Sequence, residues 1–227
     1  MTEFLRFPHT PHVTWLSPGT PRDDKILLPA EVNTLLSGDV VIEEKLDGAN
    51  LGISVDADSK PRLQNRGQYL IPPFSGQFSR VAAWLEHHEV DLISALGDGL
   101  ILFGEWCAAR HSVIYDRLPD WFLAFDVFDR SAERFWSTGR RDALAERLGL
   151  SVVPVLARGR VTLAELKALV MVGNSRFGST PLEGVIVRRE GVRFLDQRGK
   201  LVRPDFSQAI GEHWRSRRIE WNRLMPA

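Results

Sequence analysis

The residues best suited to chemistry in this chain lie in one stretch, VVIEEKLDGANLGISV, at residues 40–55. Lys45 follows two glutamates and precedes Asp47 and Gly48, so an amine and several carboxylates come close together in the chain. A lysine amine that has lost its proton is a nucleophile and can form a covalent bond to a substrate. The bare K-x-D-G pattern also fits a charged surface turn, because short motifs often match by chance.

Other charged or polar residues stand at the ends of segments that predict strands. With Lys45 they make the set Lys45, Asp47, Asn50, Arg66, Glu105, Asp126, Glu183, Arg188, Lys200 and Arg203. Arginine and lysine neutralise phosphate groups, and carboxylates hold divalent metal ions. An aromatic side chain can stack on a nucleobase. This combination favours phosphoryl chemistry on a nucleotide.

The segments that carry these residues predict an α+β fold. β-branched and apolar runs predict strands at residues 40–45, 99–106, 121–129, 152–156, 182–189 and 200–203. Helical spacing of apolar residues predicts helices at 29–36, 79–96, 139–148 and 162–171. Because several strands follow one another in hairpin-like succession, with helices set between them, we expect mainly antiparallel sheets flanked by helices. Residues 40–55 predict a strand, a tight turn and a strand, with Gly48 supplying backbone freedom at the bend.

The chain is expected to form a single domain over residues 1–227. It has no internal repeat, low-complexity tract or long linker that would separate two domains. Residues 1–24 are rich in proline, threonine and histidine and predict an irregular N-terminal arm. Residues 207–227 place tryptophans and isoleucines among basic residues and predict a closing C-terminal helix.

Composition limits the classes of protein that are possible. With 227 residues, 44% of them hydrophobic, the chain can build one substantial core. The 29 basic and 29 acidic residues cancel, so any polyanion site must be a local patch. The single cysteine, Cys107, excludes an internal disulfide and a multi-cysteine metal site. We find no signal-peptide pattern and no apolar run of membrane-spanning length, and we expect a cytoplasmic protein without membrane partners.

Five motifs in order resemble those of the covalent nucleotidyltransferases, which comprise ATP-dependent ligases and mRNA capping enzymes. They are K-x-D-G-x-N from Lys45, F-G-E-W from Phe103, F-D-V-F-D from Phe125, E-G-V-I-V-R from Glu183 and K-L-V-R from Lys200. The resemblance covers about residues 40–206. It implies an ATP-grasp-like ligase fold and looks closest to ATP-dependent RNA ligases of the phage RNA-repair type. Asn50 separates these classes of enzyme, because RNA ligases of this type carry Asn at that position, whereas DNA ligases and capping enzymes typically carry Arg.

The resemblance implies that three residues carry the chemistry. Lys45 would attack the α-phosphate of ATP and form lysyl-N-AMP. Glu183 would assist the binding of Mg²⁺ or Mn²⁺, and Lys200 would contact the α-phosphate as pyrophosphate leaves. A lysine must be neutral to attack phosphorus, so we expect burial or neighbouring cations to lower the pKa of Lys45.

The resemblance also implies an ATP-binding set, which consists of Glu44, Leu46, Asp47, Asn50, Arg66, Glu105, Phe125, Arg188 and Arg203. The backbone of the two residues that flank the nucleophile would contact adenine, and Phe125 would stack on it. Asp47 and Asn50 would orient the ribose and phosphate. Arg66 would hold ribose or phosphate, and Glu105 would contact the ribose.

Two members of this set depart from the family pattern. Arg188 stands at a position that lysine often occupies. The last motif usually shows K-x-K, but Val202 occupies the place of the second lysine. Either Arg203 substitutes for that lysine or Lys200 acts alone.

These features predict an ATP-dependent RNA ligase that joins 5′-phosphate and 3′-hydroxyl RNA ends through lysyl-AMP and an RNA-adenylate. One alternative is a DNA ligase or a capping-type nucleotidyltransferase, against which Asn50 argues. Another is a non-catalytic nucleotide- or RNA-binding module, against which the intact charged residues argue. Incubation with labelled ATP and a divalent cation separates this module from the enzymes.

RNA binding is expected to come from local basic clusters. About twenty residues follow the last motif, so we expect no OB fold or other C-terminal module. A catalytic domain alone would borrow further nucleic-acid binding from a partner protein. Within the chain, the candidates for phosphate contact are the tail residues Arg215, Arg217, Arg218 and Arg223.

Overall fold

The computed structural model of the protein describes residues 4–19, 25–209 and 219–226. Within these residues the strands are β1 (Val40–Lys45), β2 (Ala49–Val55), β3 (Pro61–Gln64), β4 (Leu100–Trp106), β5 (Phe122–Asp129), β6 (Arg134–Phe135), β7 (Ser151–Val152), β8 (Val155–Gly159), β9 (Gly184–Glu190) and β10 (Leu195–Val202). The helices are α1 (Pro29–Leu35), α2 (Val81–Leu96), α3 (Thr138–Arg147), α4 (Leu163–Val172) and α5 (Pro204–Ala209), with a 3₁₀ turn at Gly76–Phe78. The helices expected at 29–36, 79–96, 139–148 and 162–171 are therefore confirmed.

The strands that the structure describes form two sheets. The four-stranded sheet has the order β10-β9-β1-β8, with antiparallel neighbours throughout. The six-stranded sheet has the order β3-β2-β4-β5-β6, and β7 adds to β5 in parallel. The prediction of an α+β fold with mainly antiparallel sheets flanked by helices is confirmed.

The two strands of the 40–55 stretch are present, but β1 and β2 pair with different partners. Lys45, at the end of β1, lies opposite Gly184 in the four-stranded sheet. Asn50, near the start of β2, lies opposite Glu105 in the six-stranded sheet. The turn at residues 46–48 therefore carries the chain from one sheet to the other.

Gly48 is needed in this turn for space, which corrects the expectation that it supplies backbone freedom. A Cβ atom at this position would lie 2.6 Å from the carbonyl oxygen of Trp106 and 3.1 Å from Cγ of Glu105. Its φ is outside the left-handed region that favours glycine. The close approach of two strands at this point therefore explains the glycine of the motif.

The segment predicted as one strand at residues 152–156 is two short strands in different sheets. β7 pairs with β5, and β8 pairs with β1. Between them the amide of Val153 donates to the carbonyl of Ala124 at 3.1 Å, and the carbonyl of Pro154 accepts from the amide of Glu44 at 2.9 Å. The chain thus crosses from one sheet to the other here as well.

Each sheet packs one face against helices. The core under α2 and α3 includes Leu51, Ile53, Val81, Trp84, Leu102, Phe122, Val127 and Leu144. The core under α1 and α4 includes Leu35, Val40, Ile42, Leu166, Val170, Val185, Val187 and Leu201. Because side chains alternate along a strand, Glu43, Lys45 and Asn50 lie on the faces opposite these cores. Ion pairs from Asp126 on β5 to Arg188 and Arg198 join those two polar faces.

The described part of the N-terminal arm, residues 4–19, is irregular and well packed. His12 forms a bridge with Lys200 of β10, and it is buried. Phe7 is also buried, and its ring contacts those of Phe103, Phe125 and Phe135. The arm therefore helps to fill the space between the sheets.

The expected closing helix at 207–227 is wrong for its described C-terminal part. α5 is described as far as Ala209, where the described residues stop, and residues 219–226 are extended. Their backbone groups bond to residues 108–118, which supply partners that a helix would otherwise find within itself. Residues 210–218 lie outside the described part of the chain. Among the described helices, none is both long and apolar enough to cross a membrane.

Candidate active site

Lys45 lies at the mouth of the space between the two sheets. Its Nζ donates to Oε1 of Glu183 at 2.6 Å and to Oε2 at 2.7 Å. The Lys45 side chain is 26% exposed, whereas that of Glu183 is 10% exposed. The amine is therefore held by a nearly enclosed carboxylate and is still open to a ligand from solvent.

Glu105 and Asn50 lie side by side on β4 and β2, on the same side of the turn. Oε1 of Glu105 accepts a hydrogen bond from the amide of Gly48 at 3.1 Å. The Asn50 Oδ1 is buried, and the described residues offer it no hydrogen-bond donor. An unsatisfied buried carbonyl is costly, so this atom suits a ligand that brings a donor.

The Asp47 carboxylate is held by the loop that follows β4. Oδ2 accepts from the amides of Ser112 at 2.6 Å and Val113 at 2.8 Å. The backbone amide of Asp47 donates to the hydroxyl of Tyr115 at 2.7 Å. Nδ1 of His111 lies 3.8 Å from the other carboxylate oxygen. Asp47 therefore connects the turn that follows Lys45 to residues 111–115, and its expected contact with the ribose remains a prediction.

The group Lys45, Asp47, Glu105 and Glu183 is here called the Lys45 cluster, and its charges act on the pKa values of Lys45, Glu105 and Glu183. Burial raises the pKa of Glu105 and of Glu183 from the usual 4.5 to about 7, although the positive charge of Lys45 opposes this. For Lys45, burial lowers the pKa, but the charges of Glu183, Glu105 and Asp47 together raise it above its usual value. The expectation of a lowered pKa for Lys45 is therefore wrong for this arrangement, because three carboxylates surround one amine.

The residues that flank Lys45 point their side chains elsewhere. The Glu44 carboxylate accepts from the amide of Arg176 at 2.9 Å, and burial raises its pKa. The Leu46 side chain is buried in a cluster that includes Cys107 and Tyr115. The proposed contact between the backbone here and adenine remains a prediction.

Phe125 stands at a β-bulge. Phe103 lies opposite Asp126 and Gly104 lies opposite Ala124, so Phe125 is the extra residue of β5. Bulges of this kind redirect a side chain. One side of the Phe125 ring packs edge-on against Phe7 with centroids 5.2 Å apart, and the residue is partly exposed. The side chain also packs against two hydrophobic clusters, and its stacking on a base remains a prediction.

The two cations of the last motif have different surroundings. Lys200 lies opposite Ile186, and its positive charge acts on Glu183. The Arg203 guanidinium binds both carboxylate oxygens of Asp205 at 3.1 Å and the carbonyl of Met171 at 3.1 Å. These contacts favour Lys200 as the cation of the motif that serves the Lys45 cluster.

Arg188 is enclosed in a second group of charges, the buried ion network of Glu43, Asp126, Glu190, Arg141, Arg188 and Arg198. Its Nη1 lies 2.9 Å from Asp126 and 3.7 Å from Glu43, and its Nε lies 3.5 Å from Glu190. Arg188 stands opposite Val41, four residues from Lys45 along β1. The structure therefore shows protein partners for Arg188, and its expected contact with the nucleotide remains a prediction.

The remaining candidates for nucleotide or RNA binding lie at the surface or outside the residues that the structure describes. Arg66 is exposed in the turn after β3, which lies at the same end of the sheet as Asn50. Arg223 is exposed in the extended C-terminal segment. The other tail candidates lie outside the described residues, and they are Arg215, Arg217 and Arg218.

A metal ion at this site would need ligands beyond the protein. Across residues 4–19, 25–209 and 219–226, no three side chains of His, Cys, Asp or Glu are grouped to hold one. Glu183 could supply one carboxylate, and phosphate oxygens of a bound nucleotide would have to supply further ligands. This donor set suits a hard divalent cation that arrives with ATP.

Sequence reasoning missed Tyr115 and His111, and it named Asp126 and Arg188 without the ion network that joins them. The loop that contains Tyr115 and His111 follows β4 without a motif, so its sequence carried no signal. Glu43 could have been found, because it lies two residues before Lys45 and therefore shares its face of β1.

The two sheets, with the lysine at the end of a strand between them, form a nucleotidyltransferase domain. The RNA ligase family model matches residues 38–202, and the chain therefore belongs to the RNA ligase family. No curated protein matches the chain.

Several solved structures of Naegleria gruberi RNA ligase share the fold. The structure with PPi is 17% identical, covers 80% of this chain and 54% of the ligase, and gives a TM-score of 0.62. A variant with ATP and Mn is 18% identical, with coverages of 81% and 55% and a TM-score of 0.63. A variant with AMP and Mn is 16% identical, with coverages of 92% and 59% and a TM-score of 0.66. This chain thus spans somewhat more than half the length of those proteins.

Proposed function

We propose that this protein is an ATP-dependent RNA ligase in which Lys45 becomes covalently attached to AMP. The observation that carries the proposal is the Lys45 amine, partly open to solvent and held by Glu183 in a cluster of carboxylates. Membership of the RNA ligase family supports it. So do the ligands of the Naegleria structures, because ATP, AMP and PPi are the substrate and products of nucleotidyl transfer.

In the first step the neutral Nζ of Lys45 attacks the α-phosphorus of ATP. A phosphorus–nitrogen bond forms, the bond to the β-phosphate oxygen breaks, and pyrophosphate leaves. The carboxylates around Lys45 favour its protonated form, so positive charge must offset them before the attack. Lys200 supplies part of that charge, since it already acts on Glu183. A divalent cation held by Glu183 and phosphate oxygens would supply further positive charge and stabilise the leaving group.

Other residues of the site have features that suit the nucleotide. The Asn50 Oδ1 lacks a donor among the described residues and lies beside Glu105. The ring of Phe125 is supported by Phe7 and is partly open. An amide oxygen that needs a donor and an aromatic face fit a ribose hydroxyl and a base.

In the later steps the AMP passes from Lys45 to the 5′-phosphate of an RNA end. The adjacent 3′-hydroxyl then attacks this RNA-adenylate, the RNA strand is joined and AMP is released. The substrate is therefore RNA with 5′-phosphate and 3′-hydroxyl ends.

The direct experiment is incubation with ATP labelled at the α-phosphate and Mg²⁺ or Mn²⁺, followed by a denaturing gel. The wild-type protein should carry an acid-labile label, and Lys45→Ala should carry none. Lys60→Ala is the matched control because Lys60 is exposed in the turn before β3, and it should label normally. Undiminished labelling of Lys45→Ala would remove Lys45 as the nucleophile.

Defined nicks then test the substrate. RNA with a 5′-phosphate at the nick should be sealed, and a DNA nick should be sealed poorly or not at all. Sealing of DNA alone would favour a DNA ligase. A protein that binds ATP without labelling in the presence of metal would be a binding module.

A further inference from the structure

The C-terminal segment at residues 219–226, here called the C-terminal strap, lies along the loop at residues 107–118. Backbone hydrogen bonds join the two, from Arg110 N to Glu220 O at 2.8 Å, Asn222 N to Ala108 O at 2.9 Å, Arg223 N to Tyr115 O at 3.0 Å, Leu118 N to Arg223 O at 2.9 Å and Met225 N to Leu118 O at 2.8 Å. The strap therefore pairs with the loop much as an edge strand pairs with a sheet.

Asn222 is the centre of this contact. The residue is 4% exposed, and every polar atom of its side chain is bonded to the loop. Its Oδ1 accepts from the amide of Tyr115 at 3.0 Å, and its Nδ2 donates to the carbonyls of Cys107 at 2.9 Å and Ala109 at 3.4 Å. One side chain thus ties the beginning of the loop to its middle.

The same loop holds the turn that carries the nucleophile. The hydroxyl of Tyr115 accepts from the amide of Asp47, and the amides of Ser112 and Val113 donate to its carboxylate. A single residue, Tyr115, therefore contacts both Asn222, through its backbone amide, and Asp47, through its side chain. The Asp47 charge in turn acts on Lys45.

We propose that Asn222 and Tyr115 are positioning residues for nucleotidyl transfer, which fix the Lys45 turn from the C-terminal strap. The proposal rests on the proposed function and deepens it. Asn222 and Tyr115 fix the loop, the loop fixes Asp47 on both its amide and its carboxylate, and Asp47 stands two residues from the amine that attacks ATP. A displacement of about 1 Å in such a group can cost roughly 100-fold in rate.

The strap has a separate anchor, so its attachment and the position of the loop can be tested separately. The Trp221 ring packs against the core under α2, and the guanidinium of Arg80 lies 4.1 Å from its centroid. Asn222 makes the side-chain bonds to the loop. Substitution of Asn222 therefore leaves the Trp221 anchor in place while it removes the side-chain hydrogen bonds to the loop.

The kinetic experiment measures single-turnover self-adenylylation and the KM for ATP in the full chain. Asn222→Ala and Tyr115→Phe should each slow the covalent step by about tenfold or more, with a KM for ATP that changes much less. Tyr115→Phe keeps the ring and removes only the hydroxyl, so it carries the test if Asn222→Ala folds poorly. Met225→Ala is the control, because that side chain is exposed and its residue joins the loop through backbone alone.

The double variant distinguishes a shared path from two separate defects. If both residues act through the same loop, Asn222→Ala with Tyr115→Phe should be little slower than the worse single variant. Multiplication of the two effects would overturn the shared path. Unchanged covalent rates in both folded single variants would overturn the proposal as a whole.

Hydrogen exchange of the peptide that contains residues 46–48 provides a readout independent of activity. The amide of Asp47 should exchange faster in Asn222→Ala and Tyr115→Phe than in the wild type and in Met225→Ala. If the two variants exchange faster but the wild-type protein never labels with ATP, the proposed function is overturned and the positioning of the turn stands. If the wild-type protein labels normally but the two variants exchange at the wild-type rate, the positioning is overturned and the proposed function stands.

Discussion

Two groups of charges lie on the same face of β1, only two residues apart, and they differ in balance. The buried ion network around Glu43 has three arginines and three carboxylates, and its Arg141 and Arg188 side chains are 0% and 1% exposed. The Lys45 cluster sets three carboxylates against one amine, and that amine is partly exposed. Each arginine of the ion network pairs with at least one carboxylate, whereas the Lys45 cluster has two acids whose pKa is raised by burial to about 7. An unbalanced charge group next to an opening is typical of reactive sites, and this sets the proposed site apart from the ion network.

The buried ion network also helps to shape the proposed site. Nη1 of Arg141 and Nη1 of Arg188 both donate to the carbonyl of Phe125, at 2.9 Å and 3.3 Å. These bonds hold the backbone of the β-bulge that presents the Phe125 ring. The network therefore fixes one wall of the proposed nucleotide site, while the Lys45 cluster supplies its chemistry.

The largest expected effect is on stability and comes from the network. Arg141→Met leaves Glu43 buried without its nearest partner and should lower the free energy of unfolding by about 3–5 kcal/mol. Urea unfolding measures this. Arg147→Ala, an exposed change on the same helix, should cost less than about 1 kcal/mol. If Lys45→Ala lowers the free energy of unfolding as much as Arg141→Met does, the two groups of charges do not differ in their contribution to stability.

The next effect is on the covalent step. Glu183→Ala should lower self-adenylylation by roughly 10- to 100-fold, because both the contact with Lys45 and a metal ligand are lost. Glu183→Asp should keep part of the activity. The labelling assay checks both, with Glu86→Ala on the exposed face of α2 as the control. Labelling that survives EDTA would show that no metal assists.

A third effect concerns the affinity for ATP. Phe125→Ala should weaken ATP binding by about tenfold or more, if the ring stacks on adenine with the usual 1–3 kcal/mol. Calorimetric titration measures it. Phe128→Ala, on the same strand, should reduce stability without changing ATP affinity, since that ring packs on Phe135. An unchanged affinity with a lower melting temperature would make Phe125 part of the core.

The smallest effect is a change in the pH dependence of stability. Burial raises the pKa of Glu105 to about 7, although Lys45 opposes it and Glu183 and Asp47 add to it. The folded state therefore keeps a proton that the unfolded state releases above pH 4.5, and stability should fall as the pH rises from about 4.5 to 7. Glu105→Gln should remove this part of the slope. Urea unfolding at several pH values checks it, and an unchanged slope would show that Glu105 is ionised throughout.

The sequence predicted correctly those features that depend on the residues of a single strand. The strand ends at Lys45, Glu105 and Glu183 were placed by β-branched runs and motifs, and the fold brings all three together. The sequence did not predict which strands pair, because no local pattern shows that β1 and β2 enter different sheets. The ion-pair partners of Arg188 on β1 and β5 could not be predicted for the same reason.

The C-terminal strap shows the limit of helical periodicity. The positions of Ile210, Trp214, Ile219 and Trp221 among basic residues predicted a closing helix, but the backbone partners of residues 220–225 lie more than a hundred residues away in the loop after β4. Tertiary hydrogen bonds of this kind override a local propensity, and a single sequence does not display them.

The crossing at residues 46–48 has a mechanical consequence. Lys45 is carried by the four-stranded sheet and Asn50 by the six-stranded sheet. A rotation of one sheet against the other would change the separation of these two side chains before it broke a bond within either sheet. The K-x-D-G turn thus couples the spacing of Lys45 and Asn50 to the relative orientation of the two sheets, and the lack of room for a Cβ atom beside Trp106 restricts position 48 of that turn to glycine.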